Sequence, residues 1–272
     1  MVKVTRETDR NPSEFVTAVE RGFSVLTAFG RGPNRMTLTQ VADATGLTRG
    51  TARRFLLTLQ TLRYVDSDGK LFWLTPKVMQ FSGAYLESTG VAEAARPVIR
   101  TLTETLGESS SVAVLDGLDV IYIARVETRR IFSSGLDVGS RLPAYCSSLG
   151  RVLLAGLSDT ELNVWLQHGP FEARTSKTLT TREQLAARIQ DVRKANYALI
   201  DGEVEIGIRS IAVPIRDMNH QVIAAVNVGT SAARVSLDQM KKKVLPALRQ
   251  AAEQIEGNIR AWTSAQVGNG RI

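Results

Sequence analysis

The stretch from Thr37 to Tyr64, TLTQVADATGLTRGTARRFLLTLQTLRY, leaves a chain few ways to fold. Thr37 and Gln40 have the spacing of a capping box, in which each side chain satisfies a free backbone N–H at a helix start. Leu38, Val41 and Ala42 put one apolar face on the short helix that follows. Gly46 supplies a sharp turn, because glycine takes a positive φ without steric cost. Leu47 plugs the corner behind it. Thr48 caps a second helix, on which Ala52, Phe55, Leu56, Leu59 and Leu62 recur along the inner face. Arg49, Thr51, Arg53 and Arg54 occupy the outer face at its start. This is the sequence form of a helix-turn-helix whose second helix lies in the DNA major groove.

Charge agrees with that reading. No Asp or Glu occurs between Asp43 and Asp66, whereas Arg49, Arg53, Arg54 and Arg63 all fall there. Cations crowded on one short helix repel each other unless an anion compensates them, and phosphate is the natural partner. Arg and Thr also read base edges, Arg by two bonds to guanine. Thr48, Arg49, Thr51, Arg53 and Arg54 are therefore the candidate DNA contacts. The alternative is a solvated basic face on an ordinary helical hairpin.

A length of 272 residues corresponds to about two domains, and with 43% hydrophobic residues the chain can bury real cores. No apolar run approaches the ~18 residues of a membrane helix, and the opening MVKVTRETDRNPSEF is too polar for a secretory signal. The expectation is a cytoplasmic protein with no membrane partner. The single cysteine, Cys146, excludes an internal disulfide and a cysteine-based metal set. The formal net charge of +7 fits a nucleic-acid partner.

In chain order, residues 1 to 12 read as a flexible arm. Ser13 to Phe29 reads as a helix, with Phe15, Val19, Phe23 and Leu26 on one face, that completes a three-helix unit. After Tyr64, Asp68-Gly69 between two apolar segments signals a hairpin. A hairpin directly after a recognition helix is a wing, and Lys70 near its tip can touch a phosphate. Phe72 and Trp73 cover the helices rather than stack on bases. Thr75-Pro76 starts a helix to about Ser88, either a linker between domains that joins a dimer contact or the plain first helix of the second domain.

The remainder reads as α and β segments. Val91 to Leu106 is a helix. Ser110 to Leu115 and Val120 to Val126 form a hairpin around Asp116-Gly117. A short helix runs from Ser147 to Leu157. Ser158 with Glu161, and Thr180 with Glu183, cap the next two helices, the second reaching Asn196. Ile208 to Arg216 and Gln221 to Gly229 alternate and pair as a hairpin. Ser236 and Gln239 open a last helix to about Trp262, Lys241 to Lys243 form a solvated face, and the tail VGNGRI reads as disordered.

Signals of catalysis are scarce. His168 and His220 are the only histidines and lie in no metal-ligand spacing; no metal or cofactor is expected. Ser147 and Ser148 lack the preceding glycine of a nucleophile elbow. Cys146 reads as buried and inert. Glu203 and Glu205, two apart beside a β segment, share a face in this reading and can do acid–base work, bind a ligand hydroxyl, or pair with Arg209. Three features point instead to a small-molecule site. Ser147 and Ser148 sit at a helix start, whose free N–H groups suit a carboxylate. Ile211, Val213 and Ile215 alternate with Ser210, Ala212 and Pro214, giving one bulky face and one small or polar face. Ala225, Asn227 and Gly229 repeat that small face on the next strand. The small face either leaves room for a ligand or lets a helix lie close.

The segments LTQVADATGLTRGTARRFLLTL, LPAYCSSLGRVLLAGL, YALIDGEVEIGIRSIAVPI and VIAAVNVG, in that order, resemble those of the isocitrate-lyase-regulator (IclR) family of transcription regulators over about residues 15 to 264. LPAYCSSLGRVLLA, the TLT before a helix and EIGIRSIAVPI resemble the branch regulating protocatechuate and 4-hydroxybenzoate breakdown through the β-ketoadipate pathway. The resemblance implies an α+β chain: a winged helix-turn-helix at 13–75, a linker helix at 76–90 and, at 91–264, a GAF-like effector domain with an antiparallel sheet flanked by helices. It implies homodimers, or dimers of dimers, on double-stranded palindromic operators. It places effector contacts at Ala144, Tyr145, Cys146, Ser147, Ser148, Glu205, Ser210, Asn227 and Gly229. Many members carry Cys in place of Ser210 and Ser in place of Asn227 and Gly229, so the pocket is altered. Gly50 stands where Ser is usual; it costs about 1 kcal/mol of helix propensity but lets the backbone approach DNA, and it joins the DNA contacts.

The leading expectation is a ligand-controlled, DNA-binding transcription regulator, not an enzyme, whose effector is a small aromatic or dicarboxylic acid. One alternative is an enzyme fused to a DNA-binding domain, using Cys146 or Glu203 and Glu205. Another is a constitutive DNA-binding architectural protein whose second domain only oligomerises.

Overall fold

The computed structural model describes residues 14–128 and 135–268. The arm expected at 1–12 lies outside them, as do the last four residues of the tail. The chain divides into two compact units between Tyr85 and Leu86.

In the first unit, helix Thr17–Arg31 (α1) is followed by strand Met36–Thr37 (β1), helices Leu38–Thr45 (α2) and Arg49–Thr61 (α3), and strands Val65–Ser67 (β2) and Leu71–Leu74 (β3). The local chemistry is the one the sequence dictates. The Thr37 hydroxyl accepts from the Gln40 N–H at 3.3 Å, and Gln40 Oε1 accepts from the Thr37 N–H at 2.8 Å. Gly46 turns left-handed at φ 66°. The Thr48 hydroxyl accepts from the Thr51 N–H at 3.3 Å. Val25, Phe29, Val41, Ala52, Leu56 and Leu59 close the core between the three helices. Leu62 does not join them. It caps the end of α3 and is 50% exposed, because the chain turns away at Arg63, whose φ is 63°.

β1, β3 and β2 form a small antiparallel sheet in that order. The tight β2–β3 turn is held by the Asp68 carboxylate, which accepts from the N–H groups of Lys70 and Leu71 at 2.9 and 2.8 Å. Those bonds, Leu71's first, pull the Asp68 pKa below its ordinary value. Phe72 packs on the core, while Trp73 lies under the Arg35 guanidinium, 4.2 Å from its ring centroid. Past Thr75 the chain makes a 3-10 turn, Pro76–Val78, before helix Met79–Thr89 (α4). The expected helix thus opens with a 3-10 turn, on which the Thr75 hydroxyl accepts from the Lys77 N–H at 3.3 Å.

The second unit is built on six antiparallel strands: Ser109–Asp116 (β4), Asp119–Val126 (β5), Arg141–Pro143 (β6), Ala198–Asp201 (β7), Ile208–Arg216 (β8) and Val222–Ser231 (β9). Their order is β6-β5-β4-β9-β8-β7. Helices Val91–Leu106 (α5) and Leu245–Gly268 (α10) cover one face; Ile99, Leu248 and Ile255 meet Ile211, Val213 and Val226 there. Helices Ser148–Ala155 (α6), Asp159–Leu166 (α7) and Arg182–Ala195 (α8) pack over the other, where Leu149, Val152 and Leu185 meet Ala113, Ala212 and Ala225.

Two helix starts differ from expectation. α8 is capped by Thr181, which accepts from the Gln184 N–H, rather than by Thr180, whose carbonyl is held by the Phe171 N–H. The last helix opens on the expected Ser236–Gln239 capping box as Leu237–Gln239 (α9) but widens into a π turn, Met240–Val244, before α10. Pro246, unable to donate, lies just past the widened turn. α10 reaches Gly268, taking in Val267 and Gly268 of the expected tail. Among the described residues no helix is long and apolar enough to cross a membrane.

Candidate functional site

On the first unit, α3 presents Thr48, Arg49, Gly50, Arg53 and Arg54 to solvent, with Thr51 half-buried beside them. Thr48 donates its hydroxyl to Thr51 at 2.9 Å, so the two side chains form one polar edge at the helix start. Among the described residues, no carboxylate pairs with Arg49, Arg53 or Arg54. Lys70 is exposed at the tip of the β2–β3 turn. A Cβ at Gly50 would meet nothing within 4 Å, so nothing inside this unit requires glycine there. The arrangement is a winged helix-turn-helix with an uncompensated cationic reading helix.

On the second unit, register brings the small residues together. Ser210 faces Gly229, Ala212 faces Asn227 and Pro214 faces Ala225 across β8 and β9. The row continues on β4, where Ser111 faces Asn227 and Ala113 faces Ala225. Ala113, Ala212 and Ala225 share the core under α6, so this small face is the one α6 covers. At the start of α6, Gly150 lets the chain before the helix lie against it, since a Cβ there would drive into the Ala144 carbonyl. That contact seats the 3-10 turn Ala144–Cys146 against the helix start. At Gly229, in contrast, a Cβ would meet nothing within 4 Å.

Polar groups inside this region are incompletely matched. Asn227, 7% exposed, and Ser148, 1% exposed, are buried, yet among the described residues Asn227 Oδ1 and Ser148 Oγ have no hydrogen-bond partner. Unmatched buried oxygens normally cost stability and mark either water or a ligand. Ser147 is committed: its hydroxyl accepts from the Gly150 N–H at 3.1 Å.

The two acids chosen from sequence part company. Residues 202–207 form a turn rather than a strand, and Glu205 is exposed on it. Glu203 points inward instead and takes both Arg151 Nη1 and Nη2, at 3.1 and 2.5 Å. Arg209 pairs with Asp201, at 2.6 Å, not with either glutamate; that bond lowers the Asp201 pKa. Arg151 is 1% exposed and also donates Nε to the Tyr145 carbonyl at 2.9 Å. It therefore ties α6, the 144–146 turn and the 202–207 turn to one another. Tyr145 is held further by its hydroxyl on the Glu172 carbonyl at 2.7 Å and by stacking on Phe171. Burial pushes the Cys146 thiol up to about 11, which leaves it protonated and unreactive at neutral pH.

Arg125 and Ser111 share this face of the sheet, which the sequence did not make legible. Strict alternation along β5 places Arg125 with Ile121 and Ile123, away from Tyr122. A β-bulge intervenes: Val112 pairs Ala124 but Ala113 pairs Tyr122. Ile123 and Ala124 both pack toward α5, and Arg125 returns to the face of Tyr122 and Ser111. The side chain of Arg125 is 9% exposed. Its Nη1 donates to Ser111 Oγ at 2.9 Å, one strand from Asn227. A separate surface hollow of ≈ 100 Å³ lies between Gly156, Val192, Arg193, Asn196, Pro214 and Val222. Its Arg193 is already engaged with Asp159 and the Ala155 and Leu157 carbonyls, and it gathers none of the expected site residues.

A winged helix-turn-helix joined to a sheet domain with a buried, incompletely matched polar face defines a ligand-responsive DNA-binding regulator. Residues 18–69 match the family model of the IclR helix-turn-helix domain, and residues 83–257 match that of the bacterial transcriptional regulator IclR C-terminal domain. The chain belongs to the IclR family. The Pca regulon regulatory protein of Pseudomonas putida is 42% identical over 243 residues, 89% of this chain and 84% of that one. The p-hydroxybenzoate hydroxylase transcriptional activator of Acinetobacter baylyi is 34% identical over 248 residues, 89% of this chain and 91% of its own. A solved transcriptional regulator from Rhodococcus sp. RHA1 superposes with a TM-score of 0.79 at 44% identity, over 91% of this chain and 99% of its own. These relatives are transcriptional regulators, not enzymes.

Proposed function

We propose that this chain controls genes of aromatic-acid breakdown by the β-ketoadipate route, in response to a small aromatic or dicarboxylic acid. The acid lies between the Ala144–Gly150 segment and the small face of β8, β9 and β4. The observation that carries this reading is the pair of buried, unpartnered oxygens, Asn227 Oδ1 and Ser148 Oγ, beside the open space at Gly229. The names of the two curated relatives support the choice of pathway. A phenolic acid suits the site, because its ring hydroxyl donates to an oxygen left without a donor. Ala144, Tyr145, Cys146, Ser147, Ser148, Ser210, Asn227 and Gly229 line the site, and Glu205 on its exposed turn reaches the ligand only if that turn closes.

The proposed division is 13–75 for DNA binding, 76–90 for the linker and 91–264 for effector binding and oligomerisation. Thr48, Arg49, Gly50, Thr51, Arg53, Arg54 and Lys70 meet operator DNA in the cytoplasm. A homodimer, or a dimer of such dimers, places two α3 helices on a palindrome. Val16 at the start of α1 and Val19 and Phe23 on it, exposed at 60, 54 and 55%, offer an apolar face suited to a second copy. An acid that binds one conformation better than the other shifts DNA affinity by that difference alone.

Calorimetry on the full chain tests the site, with protocatechuate, 4-hydroxybenzoate and an aliphatic oxo-dicarboxylate as probes. Wild type binds at least one of them. Ser210→Leu and Asn227→Leu, each shown to be folded by circular dichroism, lose that binding. Unchanged affinity in both variants overturns the site.

A further inference from the structure

Within that effector reading, we propose that Arg125 and Ser111 hold the carboxylate of the acid, and that Glu127 occupies the carboxylate's place until the acid arrives. Arg125 donates Nη1 to Ser111 Oγ at 2.9 Å, and Nε and Nη2 to Glu127 Oε1 at 3.1 and 2.5 Å. The guanidinium is nearly out of water, at 9% side-chain exposure, while Glu127 keeps 36%. A buried cation keeps a carboxylate partner. The more solvated carboxylate is the one an incoming acid replaces.

The bulge decides where this fork points. It sets Arg125 opposite Ser111, and Ser111 opposite Asn227, in one row across three strands. Two strand spacings, roughly 10 Å between Cα atoms, separate the cation from the buried Asn227 oxygen that has no donor. Both side chains rise from the same face, so a single-ring acid bridges the interval. Its carboxylate lies on Arg125 and Ser111, and its ring hydroxyl donates to Asn227 Oδ1. The sequence alone put the carboxylate at the start of α6. A guanidinium carries a full charge where a helix start carries about half of one, and its fork matches a carboxylate. Part of the Ser147 polar group is also already used in capping.

The exchange makes opposite predictions for two neighbouring residues. The test is calorimetry on full-length wild type, Arg125→Gln, Ser111→Ala and Glu127→Gln, with the three acids named above and the neutral amide of whichever binds. Arg125→Gln weakens the acid by about 10- to 100-fold, the range of a lost charged hydrogen bond, and leaves the amide unchanged. Ser111→Ala weakens it by a few-fold. Glu127→Gln, on the more exposed residue, removes the competitor and tightens the acid by about 3- to 10-fold. If Arg125→Gln affects acid and amide alike, or Glu127→Gln weakens the acid, the anchor is refuted while the effector site stands. If wild type binds none of the acids, the effector reading fails and the anchor with it.

Discussion

Removing the Glu203 carboxylate tests the internal frame of the ligand domain. Glu203→Ala leaves the Arg151 guanidinium, 1% exposed, without its two acceptor oxygens. Breaking a buried pair from one side costs about 3–5 kcal/mol. Glu203 retains 13% side-chain exposure, so water reaches the vacated space and the lower end, about 3 kcal/mol, applies. A unit of this size loses about 2–4 °C per kcal/mol, so its melting point falls by roughly 6–12 °C in scanning calorimetry. The paired variant Arg151→Met with Glu203→Met recovers most of the loss, since it removes both charges together. It stays about 1 kcal/mol below wild type, the worth of the Arg151 bond to the Tyr145 carbonyl. The reasoning is refuted if Glu203→Ala costs under about 1 kcal/mol, or if the double variant is less stable than either single one.

Two other expectations concern the reading helix and the lone thiol. Arg49→Ala costs about 1–3 kcal/mol on the specific operator and relaxes base preference, whereas Arg54→Ala weakens all sequences alike and flattens the salt slope; anisotropy titrations over a salt series check both, and equal losses on operator and random DNA in both variants exclude the assignment. Cys146 is fully buried and its pKa is raised by that burial to about 11, so at pH 8 a thiol reagent labels the folded protein at least about a hundredfold more slowly than the unfolded one. Labelling of the folded protein at the rate of the unfolded one contradicts it.

What the sequence made legible was local or periodic. The Thr37–Gln40 and Ser236–Gln239 boxes, the Gly46 turn and the Ser210-to-Gly229 face depend on spacing within one element, or on register fixed by a short turn. The features that escaped depend on partners far away in the chain. Arg151 and Glu203 are 52 residues apart, and nothing local marks either as the other's partner. Arg125 was hidden by a single bulged residue that shifts the alternation of β5. β1, β6 and β7 are two to four residues long and draw their stability from neighbours rather than from their own pattern. Thr180 and Thr181 are both competent caps, and only the Phe171 N–H on the Thr180 carbonyl chooses between them.

The β8–β9 hairpin divides its duties by face. Ile211, Val213, Val226 and Val228 sit in the core under α5 and α10, while Ser210, Ala212, Asn227 and Gly229 alternate onto the opposite side. Exchanging a residue of the second set reshapes what the domain can accommodate and leaves the first set's packing untouched. Changes at Ser210 or Gly229 can therefore retune what that face accommodates, while Ala212 stays fixed by its packing under α6. Two descendants of one such regulator can come to answer different acids while their folds remain superimposable.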